Sequence, residues 1–313
     1  MSYQIIEKPL DATSVFVLSN PTLGESCTIV PAFGAVVSEL KLQANGQIHS
    51  LIDCPNDFEN LHASTHYPSA LLFPFPSRIP DGKYSFEGND YQLPINEPAR
   101  GNAIHGFVHG AGFEVVSQTT LNDSAILSLL YKYDGSLSGY PFPFDLTITY
   151  ILMPSVLGVE FEIKNTGKTN LPAAFGWHPY FKFDGVSVDD LSIEIPSKTI
   201  VTFDEAMIPT GKAAFENNGT MLLKDKILDN CFVVNTDQPL VTTRLIDTKN
   251  NIKLSISQDV ERFPYLVVYT PDSRDRVAIE PLTANVNALN TGEGLMVLKP
   301  KQIIDGSIWV SLS

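Results

Sequence analysis

The sequence predicts an all-β domain, a sandwich or barrel of many short antiparallel strands. Apolar and polar residues alternate with a period of two, as in Val159, Phe161 and Ile163 between charged neighbours, which is the pattern of a half-buried strand. No long window has the spacing of an amphipathic helix. The 20 glycines and 22 prolines are spread along the chain, as turns between short strands require. Since no linker or repeat divides the chain, we predict one domain over residues 1–313.

Three hairpins and several further strands follow from local patterns. Asn45-Gly46 between strand-like arms predicts a type I′ turn, because both residues tolerate positive φ. A second hairpin is predicted with Gly88, Asn89 and Asp90 at its turn, and a third within LIDTKNNIKLSIS. Other strands are predicted at 146–152, 157–165, 191–195, 251–257 and 307–313, and the last of these should tie the C-terminus into a sheet.

Charge and cysteine content exclude several classes of function. The chain has 21 Lys and Arg against 35 Asp and Glu, a net charge of −14, so nucleic acid is not an expected partner. Cys27, Cys54 and Cys231 are too few and too far apart for a disulfide framework, so we expect reduced thiols. The first 20 residues lack a basic region and an uninterrupted apolar run, and no segment resembles a transmembrane helix. These features predict a cytoplasmic protein without a membrane partner.

Two histidines stand in segments that suggest a ligand site. His105 lies in a glycine-rich stretch, ARGNAIHGFVHGAGF, whose backbone can approach a ligand closely. His178 lies in AAFGWHPYFKF, among aromatic residues that include Trp177 and Tyr180. Sugar rings stack on aromatic side chains, so Trp177 and its neighbours can form a carbohydrate platform. The structural alternatives are a loop histidine bonded to backbone and an aromatic core cluster.

Three charged residues complete the candidate set. Glu280 follows the apolar residues Val277–Ile279 and precedes Pro281, which we expect to stop sheet pairing, so Glu280 can be a positioned general base at a strand end. Arg78 follows a strongly apolar run and Asp229 precedes Asn230-Cys231. The alternatives are a solvated glutamate, a surface ion pair and a turn residue.

Competing catalytic motifs are absent from the sequence. It contains no nucleophile elbow, phosphate-binding loop, HExxH or CxxC motif. His105 and His109 have metal-ligand spacing only on a helix, which Gly106 and Gly110 disfavour. We therefore predict no metal site.

Five segments in order resemble the aldose 1-epimerase (galactose mutarotase) family: SRIPDGKYSFEGNDYQLP, NAIHGF, GWHPYF, LDNCF, and IEPLTANVNALNTGEG followed by LKPKQ. The similarity runs from about Ala70 to Lys301. It implies a large antiparallel β-supersandwich of the galactose mutarotase type. It also implies a cofactor-free enzyme that interconverts the α and β anomers of an aldohexose by ring opening and closure. For the oligomeric state we predict a monomer or homodimer.

The resemblance assigns a role to each candidate. Glu280 corresponds to the general base and His178 to the general acid, while His105 corresponds to a second active-site histidine near the ring oxygen. Arg78 corresponds to an arginine that binds hydroxyls and supports the base, and Asp229 to an acid that binds distal hydroxyls. The resemblance leaves open which histidine delivers the proton.

Two departures leave the sugar open. Galactose-acting members usually read Asn-His-x-Tyr-Phe where Trp177 and Pro179 flank His178, and Val267 falls near their substrate-binding glutamine. The sequence is closer to the broad bacterial branch of the family. The alternatives are a hexose-6-phosphate 1-epimerase, which needs cations for its phosphate, and a non-catalytic carbohydrate-binding protein. A polysaccharide lyase is disfavoured by the predicted cytoplasmic location.

Overall fold

A computed structural model describes residues 3–11, 13–216, 219–235 and 237–313, and antiparallel strands dominate it. The predicted all-β class is therefore confirmed. The first half of the described chain contains β1 (Gln4–Leu10), β2 (Thr13–Asn20), β3 (Glu25–Val30), β4 (Val36–Ala44), β5 (Gln47–Ser50), β6 (Ala70–Leu72), β7 (Arg78–Pro80), β8 (Lys83–Phe86), β9 (Asn89–Gln92), β10 (Asn102–Ile104), β11 (Glu114–Thr120), β12 (Ala125–Tyr133), β13 (Phe144–Met153) and β14 (Val156–Asn165).

The second half continues in the same style, and helices are short throughout. Its strands are β15 (Leu171–Ala173), β16 (Gly176–His178), β17 (Tyr180–Phe181), β18 (Ser192–Glu194), β19 (Ser197–Phe203), β20 (Pro209–Ala214), β21 (Thr220–Leu222), β22 (Asp229–Val234), β23 (Leu240–Asp247), β24 (Ile252–Asp259), β25 (Tyr265–Tyr269), β26 (Val277–Leu282), β27 (Met296–Leu298) and β28 (Ile303–Leu312). The α-helices are α1 (Phe58–Ala63) and α2 (Ala288–Thr291), and 3₁₀ turns lie at Val108–Gly110 and Val188–Asp190.

The N-terminal strands form a meander in the order β1-β2-β3-β4-β5. Its last hairpin turns at Asn45 and Gly46, whose φ angles of 51° and 75° confirm the predicted type of turn. The second predicted hairpin also forms, between β8 and β9, but its turn was placed wrongly. Phe86 pairs with Asn89, so the turn is Glu87-Gly88, with φ angles of 49° and 79°, and Asn89 and Asp90 belong to the returning strand.

A nine-stranded sheet has the order β11-β12-β13-β14-β28-β24-β23-β18-β21. It contains the predicted third hairpin, β23–β24, in which Asp247 pairs with Ile252. The C-terminal strand β28 pairs with β14 on one side and β24 on the other, which confirms that the C-terminus is tied into a sheet. Val159, Phe161 and Ile163 of β14 are buried as their alternation predicts.

A third large sheet carries the candidate residues. Its order is β20-β19-β22-β25-β26-β16-β6, with β17 also paired to β26. One hydrophobic cluster packs side chains of all three large sheets together, such as Leu40, Ile148 and Ile279. Alternation along β26 places Ile279 in this cluster and turns Glu280 to the opposite face.

Pro281 does not stop the sheet, contrary to the sequence prediction. It pairs with Leu266 of β25, and β26 continues to Leu282. The amides of Ile279 and Thr283 donate to carbonyls on the β16 side of β26. Every second residue of a strand directs its backbone nitrogen to the same side, so the nitrogen of Pro281 also faces β16. Between β16 and β17 the pairing to β26 is interrupted, and a residue without an N–H is tolerated there.

Candidate active site

A cavity of about 870 Å³ opens over the third sheet. One row of its floor crosses several neighbouring strands. Cys231 of β22 lies opposite Val267 of β25, and Val267 lies opposite Glu280 of β26. His178 of β16 continues the row on the other side of Glu280 and lies opposite Ala70 of β6. Because opposite residues lie on one face of a sheet, these side chains share the cavity.

A second row of the floor lies two residues further along the same strands. Asp229 is opposite Tyr269, and Tyr180 completes the row beyond Ala278. Asp229, Tyr269 and Tyr180 all line the cavity. The period of two in a strand therefore places carboxylate, phenol and imidazole groups on one surface.

Glu280 and His178 are in contact at the centre of the floor. Glu280 Oε1 lies 3.3 Å from His178 Nε2, and both residues are at least 90% buried. Burial, with a smaller contribution from the Asp229 charge, raises the pKa of Glu280 well above its usual value. Burial lowers the pKa of His178 to about 4. Burial thus disfavours the charged form of each group, so near neutral pH Glu280 and His178 hold one proton between them.

His105 is fixed in one tautomer beside this pair. Its Nδ1 accepts a hydrogen bond from the amide of Ser77 at 3.2 Å, while its own amide donates to the Ser77 carbonyl at 2.9 Å. Nε2 must therefore carry the proton and act as a donor. The His105 ring centroid lies 5.4 Å from that of His178. Burial and the neighbouring His178 lower the pKa of His105 well below its usual value, which keeps this ring neutral.

Arg78 is held by a carboxylate that the sequence analysis missed. Its Nε and Nη2 donate to Glu97 at 2.9 and 3.0 Å. Glu97 also accepts from Asn102 Nδ2 at 2.9 Å and from Arg100 Nη1 at 3.2 Å. Burial alone would raise the pKa of Glu97, but hydrogen bonds from Arg78 and Asn102 outweigh it and lower this pKa. Glu97 therefore stays ionised and orients the guanidinium.

Five of the six sequence candidates, Glu280, His178, His105, Arg78 and Asp229, line the cavity, and Trp177 does not. Trp177 is fully buried, and its Nε1 donates to the carbonyl of Ser69 at 3.2 Å. Neighbouring residues in a strand point to opposite faces, so the turn of His178 toward the cavity sends Trp177 into the core. The prediction that Trp177 contacts a sugar is thus wrong. Of the aromatic residues around His178, Tyr180 lines the cavity.

Sequence reasoning missed several other lining residues. Tyr67 and Phe203 lie outside the motif segments, and Cys231 lies within LDNCF without having been singled out. Phe203 and Cys231 reach the cavity through the pairing of β19 with β22, whereas Tyr67 lies in the loop before β6. Within the described part of the chain, no three His, Cys, Asp or Glu side chains are grouped as a metal site. Nor does any described helix have the length and apolarity to cross a membrane.

Comparison with known proteins identifies the family. The family model of aldose 1-epimerase matches residues 15–311. The uncharacterized protein YihR of Escherichia coli (strain K12) is 28% identical over 235 residues, which cover 73% of this chain and 74% of that protein. Human galactose mutarotase is 28% identical over 151 residues, 47% of this chain and 42% of that protein, so the chain spans less than half of its length.

A solved structure supports the fold. The galactose mutarotase-like protein of Clostridium acetobutylicum superposes with a TM-score of 0.89 at 20% identity, over 100% of this chain and 99% of that one. The predicted supersandwich of the galactose mutarotase type is therefore confirmed. The match of the family model to nearly the whole length shows that the chain belongs to the aldose 1-epimerase family.

Proposed function

We propose that the protein is an active aldose 1-epimerase that interconverts the α and β anomers of an uncharged aldohexose. The contact between Glu280 and His178 carries this proposal. The hydroxyl oxygen on C1 and the ring oxygen are bonded to the same carbon, so a base for one and an acid for the other must lie side by side. Glu280 and His178 satisfy that requirement.

Glu280 acts as the base and His178 as the acid. In its ion-pair form the pair holds an ionised Glu280 and a protonated His178. Glu280 removes the proton from the C1 hydroxyl while the bond from C1 to the ring oxygen breaks, and His178 protonates that oxygen. The aldehyde rotates about C1–C2 and the reverse steps close the ring on its other face. The pair carries one proton before and after ring opening. Burial favours the form in which Glu280 holds that proton and both groups are neutral, so the reactive ion pair forms when the proton moves from Glu280 to His178.

His178 is a better proton donor than His105. Nδ1 of His105 accepts a hydrogen bond from the Ser77 amide, so a second proton on this ring would break that hydrogen bond, whereas His178 Nε2 lies 3.3 Å from the Glu280 carboxylate, which stabilises an added proton. We therefore assign the His105 Nε2–H to a hydrogen bond with the sugar. Arg78 Nη1 makes no hydrogen bond to any described residue, and with Asp229 it can bind hydroxyls.

The charges of the cavity favour an uncharged sugar over a sugar phosphate. Arg78 and Arg100 line the cavity together with Glu97, Asp229 and Glu280, so carboxylates outnumber guanidinium groups. Both arginines are also paired with Glu97. A phosphate dianion needs several unpaired cations, which makes the hexose-6-phosphate epimerase the weaker alternative.

A binding protein without activity needs no paired acid and base. Glu280 Oε2 is buried and has no hydrogen-bond partner among the described residues, which costs roughly 1–3 kcal/mol or more in a protein. That cost is understandable where the oxygen must be free to accept a substrate proton. Cytoplasmic location, independence of cofactors, a single domain and a monomeric or homodimeric state remain predictions.

Polarimetry tests the proposal. Freshly dissolved α-glucose, α-galactose and other aldoses are followed with wild type, Glu280→Gln and His178→Asn, and proton exchange NMR covers glucose 6-phosphate. We expect faster equilibration of at least one neutral sugar, with each substitution lowering kcat by about 10²–10⁴-fold. Glu114→Gln, on the exposed strand β11, is the matched control and should retain full activity. Acceleration of the phosphate alone favours the sugar-phosphate epimerase, and binding without acceleration favours the binding protein.

A further inference from the structure

The cavity continues beyond the residues that the proposed reaction uses. Its far side carries a ring wall, which we define as Phe33, His62, Tyr67 and His109. The Tyr67 ring lies 4.7 Å from His105 and 5.0 Å from His109, and Phe33 lies 4.7 Å from His62. Rings therefore extend from the reaction centre to helix α1. All four are partly or fully exposed, so they can contact a ligand.

The size of the cavity suits a ligand larger than one hexose. Its volume of about 870 Å³ is near the upper end of the roughly 300–1,000 Å³ that holds a drug-sized ligand. A hexose is smaller than a drug-sized ligand and leaves part of this volume unfilled, whereas a disaccharide brings a second ring to fill it. The floor around Glu280 and His178 accommodates the reacting ring, and the ring wall leaves space for a second one.

The chemistry of the ring wall fits an uncharged ring. None of its four residues is Lys, Arg, Asp or Glu, and burial lowers the pKa of His109, which favours its neutral form. Aromatic and imidazole faces pack against the apolar C–H face of a pyranose. The arginines that line the cavity, Arg78 and Arg100, are already paired with Glu97, so the ring wall offers a phosphate no unpaired guanidinium group.

The position of the ring wall indicates which carbon bears the second ring. In the proposed reaction the C1 hydroxyl lies at Glu280 and the ring oxygen at His178. From the ring oxygen the sugar continues to C5 and C6, and from His178 the cavity continues through His105 to Tyr67. A sugar placed in this orientation directs its C6 substituent toward the ring wall.

We propose that the ring wall is a second sugar subsite, and that the enzyme also epimerises reducing disaccharides substituted at C6 of the reducing aldose. This inference rests on the proposed function. The second pyranose packs against Phe33, His62, Tyr67 and His109 while the reducing ring reacts at Glu280 and His178. In disaccharides linked at C4 the second ring points away from the ring wall, so contacts with the wall add less to their binding.

Exchange NMR on three sugars tests the subsite. Glucose, isomaltose (linked at C6) and maltose (linked at C4) are compared by kcat/KM with wild type and His62→Ala. The side chain of His62 is exposed on α1, so this substitution is compatible with folding. We expect isomaltose to equal or exceed glucose and maltose to be poorer. His62→Ala should lower the isomaltose-to-glucose ratio by about 3- to 10-fold, and Glu59→Ala, exposed on the same helix, should not.

Each outcome decides a different statement. If glucose and isomaltose are both inert, the proposed function fails and the subsite fails with it. If glucose is epimerised but isomaltose is not, or if His62→Ala leaves the ratio unchanged, the subsite alone is refuted. If glucose 6-phosphate exceeds isomaltose in kcat/KM and depends on His62, the wall binds an anion, which also refutes the proposal.

Discussion

Replacement of Gly106 by alanine tests how the backbone beside His105 shapes the site. Gly106 has a φ of +67°, and an added Cβ would overlap the carbonyl of Phe73. The left-handed conformation costs about 1–2 kcal/mol for a residue with a Cβ, and the overlap adds about 1–3 kcal/mol. We therefore expect Gly106→Ala to lower the free energy of unfolding by about 2–5 kcal/mol.

The expected change in melting temperature follows from the size of the protein. An unfolding entropy of about 2.1 cal/mol/K per residue over 313 residues gives about 0.7 kcal/mol/K, so the melting temperature should fall by about 3–7 °C. Gly112→Ala is the control, because Gly112 has no atom within 4 Å of an added Cβ and no positive φ. Differential scanning calorimetry measures both variants.

Activity provides a second measure of the same change. A displacement of His105 by about 1 Å can cost on the order of 10²-fold in rate, so Gly106→Ala should also epimerise sugars more slowly. If the melting temperature of Gly106→Ala lies within ~1 °C of that of Gly112→Ala, about the precision of the measurement, an added Cβ at Gly106 does not clash with Phe73 and the reasoning is refuted.

Three further predictions concern residues around the floor. Because burial raises the pKa of Glu280, ionisation of this residue destabilises the fold as the pH rises above the pKa of the unfolded chain. Glu280→Gln should therefore have a higher melting temperature than wild type at pH 8, and thermal melts should show this difference shrinking toward pH 4. A difference in melting temperature that is the same at both pH values would contradict the linkage. Trp177→Phe should lower the free energy of unfolding by about 1–3 kcal/mol, since the Ser69 carbonyl loses its donor, with kcat/KM unchanged; a rise in KM alone would restore Trp177 to the sugar site. Glu97→Gln should lower kcat/KM by about 10-fold or more, because Arg78 is then misplaced. Arg100→Ala should change it by less than about 2-fold, because the Arg100 side chain is 44% exposed.

The sequence predicted features that depend on local pattern. Period-two alternation identified β14 and β24, and Asn45-Gly46 identified its turn, because the required backbone conformation is a property of the residues themselves. The motif segments predicted His178 as an acid and Glu280 as a base, and the structure places the two side chains in contact. Their roles in catalysis remain proposals.

Features that depend on pairing between distant segments could not be predicted from the sequence. Glu97 meets Arg78 because β10 pairs with β7, with Ile104 opposite Arg78, and nothing local in the loop signals that partner. Trp177 was misassigned because its neighbourhood was weighed by composition, although alternation along β16 separates it from His178. The turn at Glu87-Gly88 lies one residue earlier than predicted, since Glu87 adopts a positive φ that Gly and Asn usually take.

The central claim is that Glu280 and His178 move protons between the C1 hydroxyl and the ring oxygen. Two-dimensional proton exchange NMR of glucose at anomeric equilibrium in D₂O tests it most directly. The account predicts exchange cross-peaks between the α and β C1 protons with wild type, none above background with Glu280→Gln, and no deuterium at C1 or C2. Undiminished exchange in Glu280→Gln, or deuterium incorporated at carbon, would contradict the account.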